Sequence, residues 1–287
     1  MDLLGLANGA IRRILVASGV RSEYRSVLNN VVHYYRADGP GRGPPRLMVH
    51  GLGSSGNSFF RAIKPLTKKF RSVWAIDIPG NGYSPLPASG PVPVREQVKI
   101  VTTFINEVIG EPVYLVGNSL GGAMSLFAAH EAPETLKALT LISPAGARVE
   151  EQRMQALIES FKVETTADAR KMTRRLFHKA PLGALVFAGE LKKLYASETV
   201  RSILKEVKPE DTVTEEMLRG LSMPTMLIWG KSEKLLPYEG IEYFRAHLPA
   251  HAEVHEVQGY GHMPQMERPK DVVKRLVKFA QTRGLVD

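Results

Sequence analysis

Ser119 stands between Gly117 and Gly121 in the stretch YLVGNSLGG, directly after a run of apolar, strand-like residues. The G-x-S-x-G pattern alone arises by chance in roughly one chain in ten of this length, so its surroundings must decide its meaning. A serine at a strand end with a helix to follow sits on a sharp turn. That turn lifts the hydroxyl above the carboxyl edge of a sheet, where open α/β sheets bind ligands. The turn strains the serine backbone and requires small residues two places before and two after. Gly117 and Gly121 meet that requirement, and Gly122 adds room. A helix beginning at Leu120 aims its free N–H groups at the site and favours a developing anion.

A serine hydroxyl is a weak nucleophile without a base. Among the eight histidines, His262 is the best placed. It lies in GYGHMPQMERP, a glycine-bearing loop between the last strand and the last helix, at the same sheet edge. The base needs a carboxylate to hold its tautomer and stabilise the imidazolium. Glu233, in KSEKLLP after another strand, occupies a suitable loop, whereas Glu239 and Glu242 read as solvated carboxylates. Asp77 also ends a strand, but it precedes Ser119 and is assigned to ordering the loop DIPGNGYS. The order nucleophile, acid, histidine is the one found where the serine sits on a strand-to-helix turn. The glycine-rich HGLGSSG follows an earlier strand. Its Leu52 N–H and the Leu120 N–H would flank a substrate oxyanion, with His50 bracing the loop. Losing one such donor typically costs about 2.7–4 kcal/mol of transition-state stabilisation.

These residues need a scaffold that brings strand ends together. Strand-like runs lie near 24–29 and 31–36, at the start of RLMVHGLGSSG, and near 72–77, 112–117, 136–143, 223–230 and 252–259. Helical patterns fall at 57–69, 94–109, 120–131, 238–247 and 269–282. Several strands are apolar throughout, which marks a mostly parallel sheet covered on both faces. The alternation breaks at 145–222, where only helical patterns occur. The sequence therefore predicts an α/β fold with an eight-stranded sheet sandwiched by helices. The core spans 21–144 and 223–287, and a helical cap, 145–222, is inserted after strand 6. Residues 1–20 form a separate N-terminal amphipathic helix with apolar positions at helical spacing and Arg12 and Arg13 off that stripe. Such a helix either packs on the domain or lies on a membrane surface.

Composition narrows the options. The 287 residues are ordinary globular material, with no cysteine and hence no disulfide, thiolate metal site or cysteine nucleophile. The net charge of +9 is carried by residues 1–76, where twelve Lys and Arg face only Asp2, Glu23 and Asp38. A basic surface of this kind suits an anionic partner, but no nucleic-acid-binding motif accompanies it, and nucleic acid is not expected. No apolar run reaches bilayer-spanning length, and the N-terminus lacks the pattern of a secretory signal. Cytoplasmic residence, with peripheral membrane contact as its variant, is the expectation.

With HGLG, DIPGNGYS, GNSLGG, WGKSEKLLP and GYGHMPQMERP on the page, the chain resembles the α/β-hydrolase superfamily along nearly its whole length. The cap and motifs look like those of bacterial esterases and lipases related to membrane-associated monoacylglycerol lipases. That resemblance implies a serine ester hydrolase working without metal or cofactor on a small-molecule ester. It also implies a membrane-facing N-terminal segment, which here is short and amphipathic. Relatives usually carry Asp where this chain has Glu233, so the longer side chain must reach His262 from a different backbone position. Ser119 separates the chain from dehalogenases and epoxide hydrolases of this fold, which place Asp at the turn. Carbon–carbon hydrolysis or acyl transfer on the same triad stays open, as does a receptor with a silent site. The cap residues Leu157, Ile158, Phe161, Met172, Leu176, Phe177, Leu185, Phe187, Leu191 and Leu194 are expected to pack the cap and, in part, line an acyl pocket for medium-chain esters or monoacylglycerols.

Overall fold

A computed structural model describes residues 3–180, 188–206 and 212–287. Eight strands form one sheet: β1 (Arg21–Val27), β2 (Asn30–Asp38), β3 (Arg46–Val49), β4 (Ser72–Ile76), β5 (Val113–Asn118), β6 (Leu136–Ile142), β7 (Thr225–Gly230) and β8 (Glu253–Val257). Their spatial order is β1-β2-β4-β3-β5-β6-β7-β8. β2 runs antiparallel to both β1 and β4, and every other pairing is parallel.

The pleat explains the apolar runs. Successive side chains point to opposite faces, so Leu47 and Val49 join one core cluster while Met48 between them joins the other. Leu115 likewise faces away from Tyr114 and Val116. Both faces are covered, which is why β3, β4, β5 and β7 are buried at every position. β1 is an edge strand and exposes most of its residues. It meets β2 through a two-residue turn in which Leu28 (φ 47°) and Asn29 (φ 62°) both take left-handed conformations, as the twist of a tight hairpin demands.

Helices α2 (Phe60–Leu66) and α11 (Pro269–Thr282) cover one face, and α3 (Val94–Thr103) and α4 (Leu120–Glu131) cover the other. The single helix expected over 94–109 is two pieces. α3 stops at Thr103 and a π-helical turn, Phe104–Ile109, carries the chain to Gly110. Phe104 and Ile105 stay buried through this change of winding.

The cap comprises α5 (Glu151–Ser160), α6 (Thr166–Leu176), α7 (Ala188–Tyr195) and α8 (Glu198–Glu206). Its own small core contains Phe161, Met172, Leu176, Phe177, Tyr195 and Val200. The expectations for Leu185 and Phe187 lie outside the described residues. A fifth helix, α9 (Glu215–Arg219), falls within the range read as cap. Its Leu218 is instead buried in the main core together with Val213 and Leu221. Structurally the cap ends before α9, because helical periodicity reports a buried face without reporting what buries it.

The N-terminal helix α1 (Leu3–Ala17) packs on the domain along one side only. Leu15 is buried, Ile11 rests on the core, Asn57 Nδ2 donates to Asn8 Oδ1 at 3.0 Å, and Arg12 stacks 4.7 Å over the Tyr83 ring. Leu6, Ile14 and Val16 remain exposed. No helix among the described residues is long and apolar enough to cross a membrane.

Candidate active site

The central strand β5 delivers Ser119 to the carboxyl edge of the sheet, and α4 starts at the next residue. Ser119 has φ 56° and ψ −120°. A non-glycine residue held there stores roughly 1–3 kcal/mol of strain, which neighbouring contacts must enforce. Those contacts are visible. A Cβ at Gly117 would lie 2.2 Å from Gly121 O, and one at Gly121 would lie 2.4 Å from Val49 O. Ser119 N–H donates to Ile142 O at 3.0 Å, and Ser119 C=O accepts from Gly122, Ala123 and Ala145. The turn is thus pinned from β6, from α4 and from the chain after β6.

His262 and Glu233 are brought together. His262 Nδ1 lies 2.8 Å from Glu233 Oε2, and each side chain is 3% exposed. The carboxylate can only accept, so Nδ1 carries the proton and Nε2 is left as the basic nitrogen. Glu233 Oε1 takes the N–H groups of Leu235 and Leu236 at 2.8 and 3.2 Å. Burial pushes the Glu233 carboxyl up, but His262 and these two N–H groups outweigh it and leave the pKa below the usual carboxylate value. Its two carboxylate oxygens hold the loop and the imidazole at once.

Ser119 is joined to the histidine loop by a residue that the sequence reading passed over. Asn118 Nδ2 donates to Ile142 O at 3.0 Å and to His262 O at 3.1 Å, and Asn118 Oδ1 accepts from Gln265 Nε2 at 2.9 Å. Asn118 and Gln265 are both buried. The available signal was a polar side chain ending an otherwise apolar strand. Among the described residues the Ser119 hydroxyl makes no hydrogen bond, to the imidazole included. Catalytic hydrogen bonds are often loose without substrate.

The loop after β3 sits directly against the serine, since a Cβ on Gly51 would come within 2.9 Å of Ser119 Cβ. His50 braces this loop. Its Nδ1 donates to Gly51 O at 2.8 Å and its Nε2 accepts from Ile78 N at 3.0 Å. Burial lowers the His50 pKa, which keeps the ring neutral and able to accept. Asp77 Oδ1 takes the Gly56 N–H at 2.6 Å, and its Oδ2 takes that of Tyr83 at 2.8 Å. Asp77 therefore ties the DIPGNGYS loop to the HGLGSSG loop. Leu52 and Leu120 both line the cavity at Ser119. Among the described residues, neither N–H is engaged by a backbone acceptor, and Leu120, as the first residue of α4, has none within the helix.

Asp77 also takes part in a second serine–histidine–carboxylate relay. Ser22 Oγ lies 2.8 Å from His33 Nε2, and His33 Nδ1 lies 2.7 Å from Asp77 Oδ2. Ser22 lies on the regular strand β1, with no glycine-flanked turn, and it lines neither the main cavity nor the smaller one beside it. Three hydrogen-bonded side chains do not by themselves make a reaction centre. Ser119 has in addition a strained turn, free amides and a cavity.

That cavity measures about 300 Å³, within the usual size range of small-molecule sites. Its lining is mainly apolar and includes Phe127, Leu157, Ile158, Phe161, Ile203, Trp229 and Leu236. Three of the ten cap positions singled out from sequence line it, while Met172, Leu176 and Phe177 pack the cap instead. The cap rests on the loops below. Met263 N donates to Leu176 O at 3.1 Å, His178 Nδ1 pairs with Ser232 Oγ at 2.7 Å, and Gly53 lies under Leu194, Tyr195 and Val200.

Comparison with known proteins places this architecture. The family model for the alpha/beta hydrolase fold matches residues 44–269. The chain belongs to the alpha/beta hydrolase family. It is 28% identical to monoacylglycerol lipase abhd6-B of Xenopus laevis, across 94% of this chain and 85% of the relative. It is 24% identical to Lipase 1 of Psychrobacter immobilis, across 81% of this chain and 75% of that one. A crystal structure of a bacterial membrane phospholipase A superposes with a TM-score of 0.81 at 24% identity, covering 98% of this chain and 96% of the other.

Proposed function

We propose that this hydrolase cleaves carboxylic esters by a serine mechanism, with medium-chain acyl esters or monoacylglycerols as its substrates. Ser119 attacks the ester carbonyl while His262 Nε2 takes its proton, and Glu233 stabilises the imidazolium that results. The N–H groups of Leu52 and Leu120 hold the tetrahedral oxyanion. His262 returns the proton to the leaving alcohol, and water repeats the cycle on the acyl-enzyme. No step calls for a metal or cofactor.

One observation carries this reading: the loop of the buried Glu233–His262 pair is bonded through His262 O to Asn118, the residue before a strained serine at the wall of an apolar cavity. The lipases among its relatives agree with it. A series of p-nitrophenyl esters tests it. Wild type should hydrolyse them and react with a fluorophosphonate, and Ser119→Ala should lose both. A monotonic fall in kcat/KM from acetate upward would reject a pocket for longer acyl chains. Failure of wild type to react with the probe would favour a silent receptor. We also propose that α1 makes peripheral contact with anionic membrane through its open apolar side and the arginines beside it.

A further inference from the structure

The cavity lining contains two glycines, Gly146 and Gly240. Gly146 has φ +92° and needs to be glycine for its backbone alone. Gly240 has no such need. It is the second residue of α10 (Glu239–His247), its backbone has no positive φ, and its N–H donates to Pro237 O at 3.0 Å. The space around it shows what the missing side chain leaves free. A Cβ here would lie 3.2 Å from Trp229 Cη2 and 3.6 Å from Ala147 Cβ, and both of those residues also line the cavity.

Position in the sheet gives this wall its meaning. Ser119 follows β5, and Trp229 belongs to β7, two strands away. At about 4.8 Å per strand the cavity reaches roughly 10 Å sideways from the serine. The described lining includes Ser119, Leu52 and Leu120 but not His262. The leaving alcohol must face the imidazole that protonates it, and His262 is not among the described lining, so we assign the acyl chain to this cavity.

We infer that Gly240, with Trp229 and Ala147, closes the far end of the acyl site and sets the longest chain it accepts. This rests on the ester-hydrolase reading above. Any side chain at 240 fills the terminal part of the cavity and shortens the acyl chain that can bind. Ala147 faces the same space, so enlarging it acts in the same sense from the opposite wall.

The experiment compares wild type, Gly240→Ala, Gly240→Leu and Ala147→Leu on p-nitrophenyl esters from acetate to laurate. A second series holds the acyl group at acetate and lengthens the alcohol. The expected result is a fall of at least tenfold in the octanoate-to-acetate ratio of kcat/KM for Gly240→Leu. Gly240→Ala should fall between it and wild type, and the alcohol series should keep its profile. Ala147→Leu should shift the same ratio, and it decides the matter if Gly240→Leu does not fold. An unchanged ratio in an active Ala147→Leu and Gly240→Ala overturns the assignment, as does a shift confined to the alcohol series. A wild type inert to every ester and to the fluorophosphonate overturns the ester-hydrolase reading itself, a distinct outcome.

Discussion

Glu233 shows how one side chain does two jobs. One oxygen orients the imidazole and the other holds two loop amides, all out of water. Glu233→Gln keeps the shape but turns a donor toward Nδ1 or the loop, and favours the wrong tautomer. The expected loss in kcat is on the order of 10³–10⁴-fold. The carboxyl is held below its ordinary pKa, so folding favours its ionised form. That contribution is present in full above the unfolded pKa and disappears as pH falls through the lower folded value. Urea titrations at stepped pH should show wild type losing stability relative to Glu233→Gln only below the ordinary carboxylate pKa. A constant gap across that range would contradict the coupling. At this scale the sequence was partly legible. The Glu233–His262 pairing and the strained turn at Ser119 could be expected because strand-end loops and chain order restrict the candidates. Asn118 and Gln265 could not, because their hydrogen bond joins residues 147 positions apart and nothing local in either segment names its partner.

The strand–turn–helix unit around Ser119 carries most of the site's stored strain. Its glycines are fixed by close backbone approach: a methyl on Gly121 would run into the β3 carbonyls. The positive φ at Ser119 penalises any residue with a Cβ. Ser119→Gly should therefore be more stable than Ser119→Ala by about 1 kcal/mol, although both lack the nucleophile. Chemical denaturation of the two inactive variants measures this directly, and equal stabilities would mean that the turn is relaxed. This unit was legible in the sequence because its rules act within five residues. The break of the 94–109 helix and the allegiance of α9 were not. Both depend on which distant surface an apolar stripe meets, and the stripe looks the same in either case.

At the scale of the whole molecule, the basic segment of the chain also carries most of the large exposed apolar side chains among the described residues. The N-terminal 76 residues hold the entire excess of positive charge, and within them Leu6, Ile14, Val16, Tyr24, Leu28 and Val31 are exposed. Each cationic side chain near an anionic bilayer contributes roughly 1 kcal/mol, screened by salt. Binding to vesicles containing phosphatidylserine is expected to weaken with added salt. It should weaken further in a Leu6→Glu, Ile14→Glu, Val16→Glu variant, which leaves the buried Leu15 in place. Sedimentation with neutral and anionic vesicles reports both effects, and equal partitioning of variant and wild type would rule out α1 as the contact.

The end of α6 is fastened on both sides of the Glu233–His262 pair: Leu176 to Met263 beside His262, and His178 to Ser232 beside Glu233. Gly261 is pressed against Phe177 and His178 so closely that no Cβ fits between them. A door does not swing on the side where it is nailed to its frame. Lifting this corner would pull on the Glu233–His262 pair to which we assign the chemistry. Among the described residues, the stretch of α7 and α8 over Gly53 and Gly80 is joined to these loops by packing and by a 3.4 Å hydrogen bond from Thr199 Oγ1 to Gly80 O. The proposed reaction therefore asks this corner of the cover to stay down.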